Sequence, residues 1–342
     1  MTTVTTVTGP VSSDGLGLTL THEHLRNDVR EAVKEPSDPA LAFLRDARTS
    51  PGLAWLLREQ PYACLDHCVL DDTDAMAADL LAFAASGGGT VVDVTPGGLG
   101  RDPLVLRSLA ERSGLRIVMG SGWYLEAYHP AHLATAGEEQ LAEELVAEFT
   151  HGVGGTGIRP GVIGEIGVSP DFTPAEHTAL RAAARAQRET GVPLYVHLPG
   201  WQRRAHEVLD IVFEHGVPPG AVVLCHMDPS HDDPDYQNAV AERGVWLEFD
   251  MIGMPFRYPG EGQSPAPHET ARAIAGLIGR GHGGQLLLSH DVFLKSMLTA
   301  YGGNGFRYVP ELFAHRLLEL GVTADTLLND NPAHLFDRAA AS

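Results

Sequence analysis

The sequence predicts a single (β/α)8 TIM barrel, with a short N-terminal β-hairpin and extended loops at the C-terminal face of the strands. Three observations predict it. Eight short apolar runs bounded by Gly, Pro or Asp recur along the chain. Helical patterns lie between them, the alternation expected of βαβ units and a parallel sheet. The runs are almost continuous in apolar residues, as strands covered on both faces should be.

The residues VTTVTGPVSSDGLGLT (4–19) read as a hairpin ahead of the barrel. The eight runs follow: LGLTLTHEHL (16–25), GTVVDVTPG (89–97), LRIVMGSGW (115–123), GVIGEIGVS (161–169), VPLYVHLPG (192–200), AVVLCHMD (221–228), GVWLEFDMIG (244–253) and GQLLLSHDVF (284–293). Among the helices, DTDAMAADLLAFAASGGG starts beside Asp71, Asp72 and Asp74, near the positive end of its dipole, and stops at glycines. Residues 173–191 carry Thr173 as N-cap, Pro174 at the first helical position, Glu176 at the capping-box position and Gly191 as the stop. Helices are also expected over 137–149, 202–216, 267–281, 308–321 and 323–336. Two connections are long for barrel loops, 26–70 and 254–267, and the first should contain helical turns around LAFLRDA and GLAWLLREQ. An open doubly wound sheet is the competing fold, but no Gly-rich phosphate fingerprint follows the first strand. With no internal repeat and no linker, residues 1–342 read as one domain.

Composition narrows the function. The chain holds 24 Lys+Arg against 44 Asp+Glu, a net charge of −20, so broad electrostatic binding to nucleic acid or an anionic membrane is not expected. No run approaches the length of a membrane-spanning helix, and MTTVTTVTGPV lacks the basic and apolar regions of a secretory signal. Three cysteines, Cys64, Cys68 and Cys225, cannot build a disulfide framework; a cytoplasmic location is the expectation. Cys225, preceding His226, should point away from it into the barrel wall.

Catalytic groups of such barrels sit at the C-terminal ends of strands. The first run ends in His22-Glu23-His24, whose period-two geometry puts both imidazoles on one face. The fourth carries Glu165, the fifth ends in His197, the sixth in His226 and the eighth in His290-Asp291. One histidine at a strand end is ordinarily structural. Six metal-ligand types (His22, His24, Glu165, His197, His226 and Asp291) converging at matching positions are costly to bury without cations. Imidazole with carboxylate suits zinc, with manganese, iron or cobalt as alternatives. Six ligands exceed the need of one tetrahedral ion, so two divalent metals are expected, sharing Glu165 as bridge and a bridging hydroxide as nucleophile.

The motifs THEHL, GEIG, VHLPG, LCHMD and LSHDV resemble the phosphotriesterase branch of the amidohydrolase superfamily, over nearly the whole chain from TGP (8–10) to NPAHLF (331–336). SGWY (121–124) and YGGNGF (301–306) look most like the phosphotriesterase-related (homology) proteins. The resemblance implies that His22, His24 and Asp291 bind a buried metal, that His197 and His226 bind an exposed one, and that Asp291 also accepts the proton of the attacking hydroxide. Many members bridge their metals with a carboxylated lysine on the fourth strand. Here the only lysines are Lys34 and Lys295, neither of them on that strand, and the related subgroup uses a glutamate, the role that Glu165 fits. A homodimer is a further implication of the resemblance.

Other polar residues are weaker candidates. Tyr124, at the rim after the third strand, could hydrogen-bond a substrate. Arg257, in the 254–267 loop, could hold an anionic group, and Lys295, four residues past Asp291, could add a cation. Asp250 could support a ligand histidine from behind. The function expected is hydrolysis of a small-molecule lactone, carboxylic ester or amide. The alternatives are a phosphotriesterase, a mononuclear amidohydrolase such as a deaminase, and a metal-containing binding protein without catalysis.

Overall fold

The computed structural model describes residues 1–342 except Ser37 and Ser342. Eight strands form one sheet: β1 (Leu18–Glu23), β2 (Gly88–Asp93), β3 (Arg116–Ser121), β4 (Val162–Gly167), β5 (Leu194–His197), β6 (Val222–Leu224), β7 (Trp246–Phe249) and β8 (Leu286–Leu288). Neighbours run parallel throughout. β8 returns beside β1, so the sheet is nearly closed, a (β/α)8 barrel. Two backbone bonds tie the ends together: Asp291 N–H donates to the His22 carbonyl at 3.2 Å, and His24 N–H donates to that of Val292 at 3.3 Å.

The near-continuous apolar runs have a simple origin. Val92, Val118, Val162, Tyr195, Val223, Trp246 and Leu287 fill the barrel interior, where they meet Val4 and Leu16 from the N-terminal region and Leu335 and Phe336 from the last helix. Their strand neighbours, among them Val91, Ile117, Ile163, Leu194, Val222, Leu247 and Leu286, join the second core between sheet and helices. Alternation by period two thus buries both faces. The expected hairpin pairs Thr3–Thr6 with Gly9–Ser12.

Cys225 departs from expectation. It lies with Val223 in the interior cluster, its Sγ 3.9 Å from Glu248, rather than in the barrel wall. The strict alternation that predicted otherwise stops at His226, whose φ of 60° turns the chain out of the strand. The structure adds two helices beyond those the sequence pattern predicts, Pro103–Ser113 and Pro234–Ala241. Each starts with an Asp N-cap followed by Pro, Asp102-Pro103 and Asp233-Pro234, a start signal that was there to be read.

The described residues of both long loops fold over the site. The first contains Pro39–Asp46 as 3-10 helix and Ala54–Glu59 as α-helix, and it returns on itself where Asn27–Asp28 pairs with Val69–Leu70. The second folds into a hairpin pairing Arg257 with Gln263 and Tyr258 with Gly262. A Cβ on Gly262 would lie 2.0 Å from Nε1 of Trp201, so the hairpin rests directly on the indole and only glycine permits that approach. Among the described residues no helix is long and apolar enough to cross a membrane.

Candidate metal centre

The rings of His22 and His24 leave β1 on the same side, their centroids 5.6 Å apart. Glu23 between them faces away and braces the exit of β8. Its carboxylate accepts from Ser289 Oγ at 2.9 Å, from His290 N–H at 3.0 Å and Nδ1–H at 2.7 Å, and from Val292 N–H at 2.9 Å. That brace holds Asp291, at φ 51°, facing the two histidines. Asp291 Oδ1 lies 3.3 Å from His24 Nε2 and 3.7 Å from His22 Nε2. His290 is occupied elsewhere, since its Nε2 accepts the Val309 N–H at 2.9 Å.

Glu165 on β4 reaches into the middle. Its Oε1 is 3.8 Å from His24 Nε2, while Oε2 is 3.4 Å from His22 Nε2, 3.3 Å from His197 Nδ1 and 3.1 Å from His226 Nε2. His197 Nδ1 and His226 Nε2 stand 2.7 Å apart, both turned to the same point. All six candidate ligands therefore converge, as the sequence predicted.

The outward nitrogens of His226 and His24 are also held. His226 Nδ1–H donates to Asp250 Oδ1 at 2.8 Å, leaving the Nε2 lone pair for the centre. Asp250 Oδ2 lies 3.2 Å from His22 Nδ1, and His24 Nδ1 pairs with Thr95 Oγ1 at 2.8 Å. Such outer contacts fix ring orientation and tautomer. Asp250 thus occupies the supporting position expected of it.

The electrostatics favour cations. Burial works against charge on His22, yet Asp250, Glu165, Glu248 and Asp291 outweigh it and raise its pKa to about 10. Burial opposes ionisation of Glu165 too, but His197, His22 and His226 hold its carboxyl well below the usual range. Nε2 of His22 is fully buried and has no hydrogen-bond partner, a state that costs about 1–3 kcal/mol unless something binds there. Two overlapping donor sets, His22-His24-Asp291 and His22-Glu165-His226, each have ligand atoms within 4.8 Å of one another. Nitrogen and carboxylate donors in this arrangement fit first-row divalent ions.

Above the centre opens a cavity of about 300 Å³, with His24, Glu165, His197, His226 and Asp291 on its floor. Tyr124 lines it, its hydroxyl 3.3 Å from His197 Nδ1, at the rim position predicted. Two other candidates are elsewhere. Arg257 is exposed: Tyr258 turns inward from the hairpin, so its strand neighbour must face out. Lys295 is buried beneath the first loop, its Nζ 3.2 Å from Asp66 and 3.0 Å from Asp71. The chain after Phe293 turns away from the cavity into a 3-10 turn, and Lys295 N–H donates to the His67 carbonyl at 3.0 Å.

Sequence reasoning missed the cavity walls. Tyr62, Tyr128, Trp201, Tyr258 and Phe293 line them, from five separate loops. So does Asn27, three residues past His24, a buried amide with neither Nδ2 nor Oδ1 paired to protein. The HEH motif placed Asn27 near the site, but nothing in its spacing distinguished it from a turn residue.

Residues 2–336 match the phosphotriesterase family. The chain belongs to the phosphotriesterase family. N-acetyltaurine hydrolase of Tetraodon nigroviridis is 34% identical over 337 residues, covering 96% of each chain. Among solved structures, a resiniferatoxin-binding protein from Rhodobacter sphaeroides superposes with a TM-score of 0.96 at 48% identity, covering 98% of this chain and 94% of that one. A lactonase from Listeria monocytogenes superposes with a TM-score of 0.79 at 26% identity, covering 98% and 99%. This member of the phosphotriesterase family is a hydrolase, as its named enzyme relatives are.

Proposed function

We propose that the chain is a binuclear metal-dependent hydrolase of carbonyl substrates, acting on a lactone, carboxylic ester or amide. One observation carries the reading: Glu165 lies between His22 and His24 on one side and His197 and His226 on the other, each within 3.8 Å of a carboxylate oxygen, so a single side chain faces both ligand groups. His22, His24 and Asp291 would hold one ion, His197 and His226 the other, and Glu165 both. Zinc suits this set best, and manganese, iron or cobalt fit it as well. Divalent ions held there would supply Lewis acidity, which would make water a nucleophile near neutral pH and polarise the substrate oxygen.

The protein supplies the remainder. Asp291, in the cavity floor, accepts the proton released by the nucleophile and passes it towards the leaving group. Tyr124 O–H hydrogen-bonds the substrate oxygen from the wall. The outward contacts of Asp250 and Thr95 hold the imidazoles so that their free nitrogens face inward. Carbonyl rather than phosphoryl chemistry is favoured because an N-acetyltaurine hydrolase, an amide hydrolase by name, is 34% identical over nearly the whole chain. Phosphotriester hydrolysis would be a side activity of the same centre.

The test joins metal content to turnover. Elemental analysis of the purified protein should find two ions per chain. Turnover on a panel of lactones, carboxylic esters, N-acyl amines and aryl phosphotriesters should be lost on chelation and regained on metal addition. A single ion with full activity would overturn the binuclear reading. Metal-independent turnover, or none on any class, would overturn the hydrolase mechanism.

A further inference from the structure

We infer that the cavity selects substrates whose non-reacting group is bulky, apolar and uncharged, and that it discriminates against substrates carrying an anion there. The inference rests on the hydrolase reading above and names its substrate class.

The walls supply the first argument. Trp201 and Tyr258 have ring centroids 5.3 Å apart, Tyr62 and Tyr258 5.9 Å, and Tyr62 and Phe293 6.5 Å, so four rings form one continuous face. Tyr128, against Tyr124 at 5.5 Å, belongs to a second aromatic pair lining the same cavity. Tyr62, Tyr128, Trp201 and Phe293 are each only partly buried, which leaves ring surface for a ligand to cover. Aromatic walls reward an apolar or aromatic group by area burial and ring stacking.

Charge supplies the second. Lys34 is the only lysine or arginine in the lining among the described residues, and it is exposed, with Glu31 and Glu261 also exposed in the same lining. An exposed ion pair is worth little, and two carboxylates outnumber the one ammonium. Arg257 faces solvent and Lys295 is bound to Asp66 and Asp71. A sulfonate or carboxylate taken between the rings would lose its water and gain no buried counter-charge.

The experiment uses metal-loaded protein and three acetate esters, those of 2-phenylethanol, choline and isethionate, which share the scissile bond and the two-carbon linker and differ in end group. kcat/KM for the phenyl ester should exceed that for the sulfonate ester by roughly 10–100-fold, with the choline ester between them. Trp201→Ala, and independently Tyr128→Ala on the other face, should shrink that ratio. An equal or faster sulfonate ester overturns the inference, as does a choline ester faster than the phenyl ester, or a ratio unmoved in both variants. Calorimetry with the non-hydrolysable 2-phenylethyl methyl ether and 2-methoxyethanesulfonate separates this from the reaction itself. Tighter binding of the ether by at least tenfold supports the inference even if no ester turns over, in which case the hydrolase reading alone fails. Equal binding overturns the inference whatever the turnover.

Discussion

Asp250 grips His226 twice, its Oδ1 accepting the ring Nδ1–H at 2.8 Å and its Oδ2 accepting the backbone N–H at 2.9 Å. His226 needs such a grip, because it holds a φ of 60° that a non-glycine residue adopts at a cost of about 1–3 kcal/mol. The same Oδ2 lies 3.2 Å from Nδ1 of His22, an electrostatic contact without a hydrogen bond, so one carboxylate faces a histidine in each ligand group.

Asp250→Asn should therefore weaken metal binding at both positions, by roughly 10–100-fold. Competition against a chromophoric chelator measures it. An affinity within twofold of the parent protein would show that the backbone, not Asp250, sets the imidazole orientation.

Glu165 and Asp291 should separate binding from chemistry. Glu165→Ala removes the carboxylate that lies between the two ligand groups, so both ions and all activity should be lost together. Full metal occupancy in that variant would end its assignment as bridge. Asp291→Asn keeps an oxygen donor but no proton acceptor, so it should retain metal while kcat falls by roughly 100-fold or more.

His67 offers a pH test outside the centre. Its Nδ1–H donates to the Pro61 carbonyl at 2.9 Å, its Nε2 lies 2.7 Å from Ser296 Oγ, which can donate to it, and burial favours the neutral ring. Burial lowers its pKa from 6.5 to about 4. The folded value is the depressed one, so its contribution is complete above pH 6.5 and drains away as pH falls towards 4, by at most about 3 kcal/mol. Urea unfolding of the parent and His67→Gln from pH 7.5 to 4.5 should show their stability difference narrowing over that window. A difference independent of pH would show that the ring can be protonated in place.

Gly262→Val should disturb the wall without touching the centre. The new Cβ would strike the Trp201 indole and lift the hairpin. KM for an aryl ester should rise by roughly fivefold, the equivalent of about 1 kcal/mol, with metal content unchanged. An unaltered KM would mean that the hairpin yields without moving Trp201.

The sequence disclosed the barrel and its floor far better than its walls. Strand ends carry a period: His22, His24, Glu165, His197 and Asp291 could be placed because each closes or interrupts an apolar run. Loops carry none, so Tyr62, Tyr128, Trp201, Tyr258 and Phe293, brought together from five connections, left no common spacing to find. Charge and nearness in sequence point to Arg257 and Lys295, but Arg257 faces solvent and Lys295 reaches Asp66 and Asp71. Cys225 failed for a related reason, because the period ends one residue later where His226 turns out of the strand.

Glu165 in place of a lysine has a consequence for assembly. A carboxylated lysine is made from dissolved carbon dioxide and falls apart when the gas is withdrawn, so a centre built on one is tied to its surroundings for completion. Glu165 carries its carboxylate from the ribosome, already held among three histidines. Under the proposed assignment, the apoprotein needs nothing but the ions themselves, and it should reload as fully in degassed, bicarbonate-free buffer as in open air.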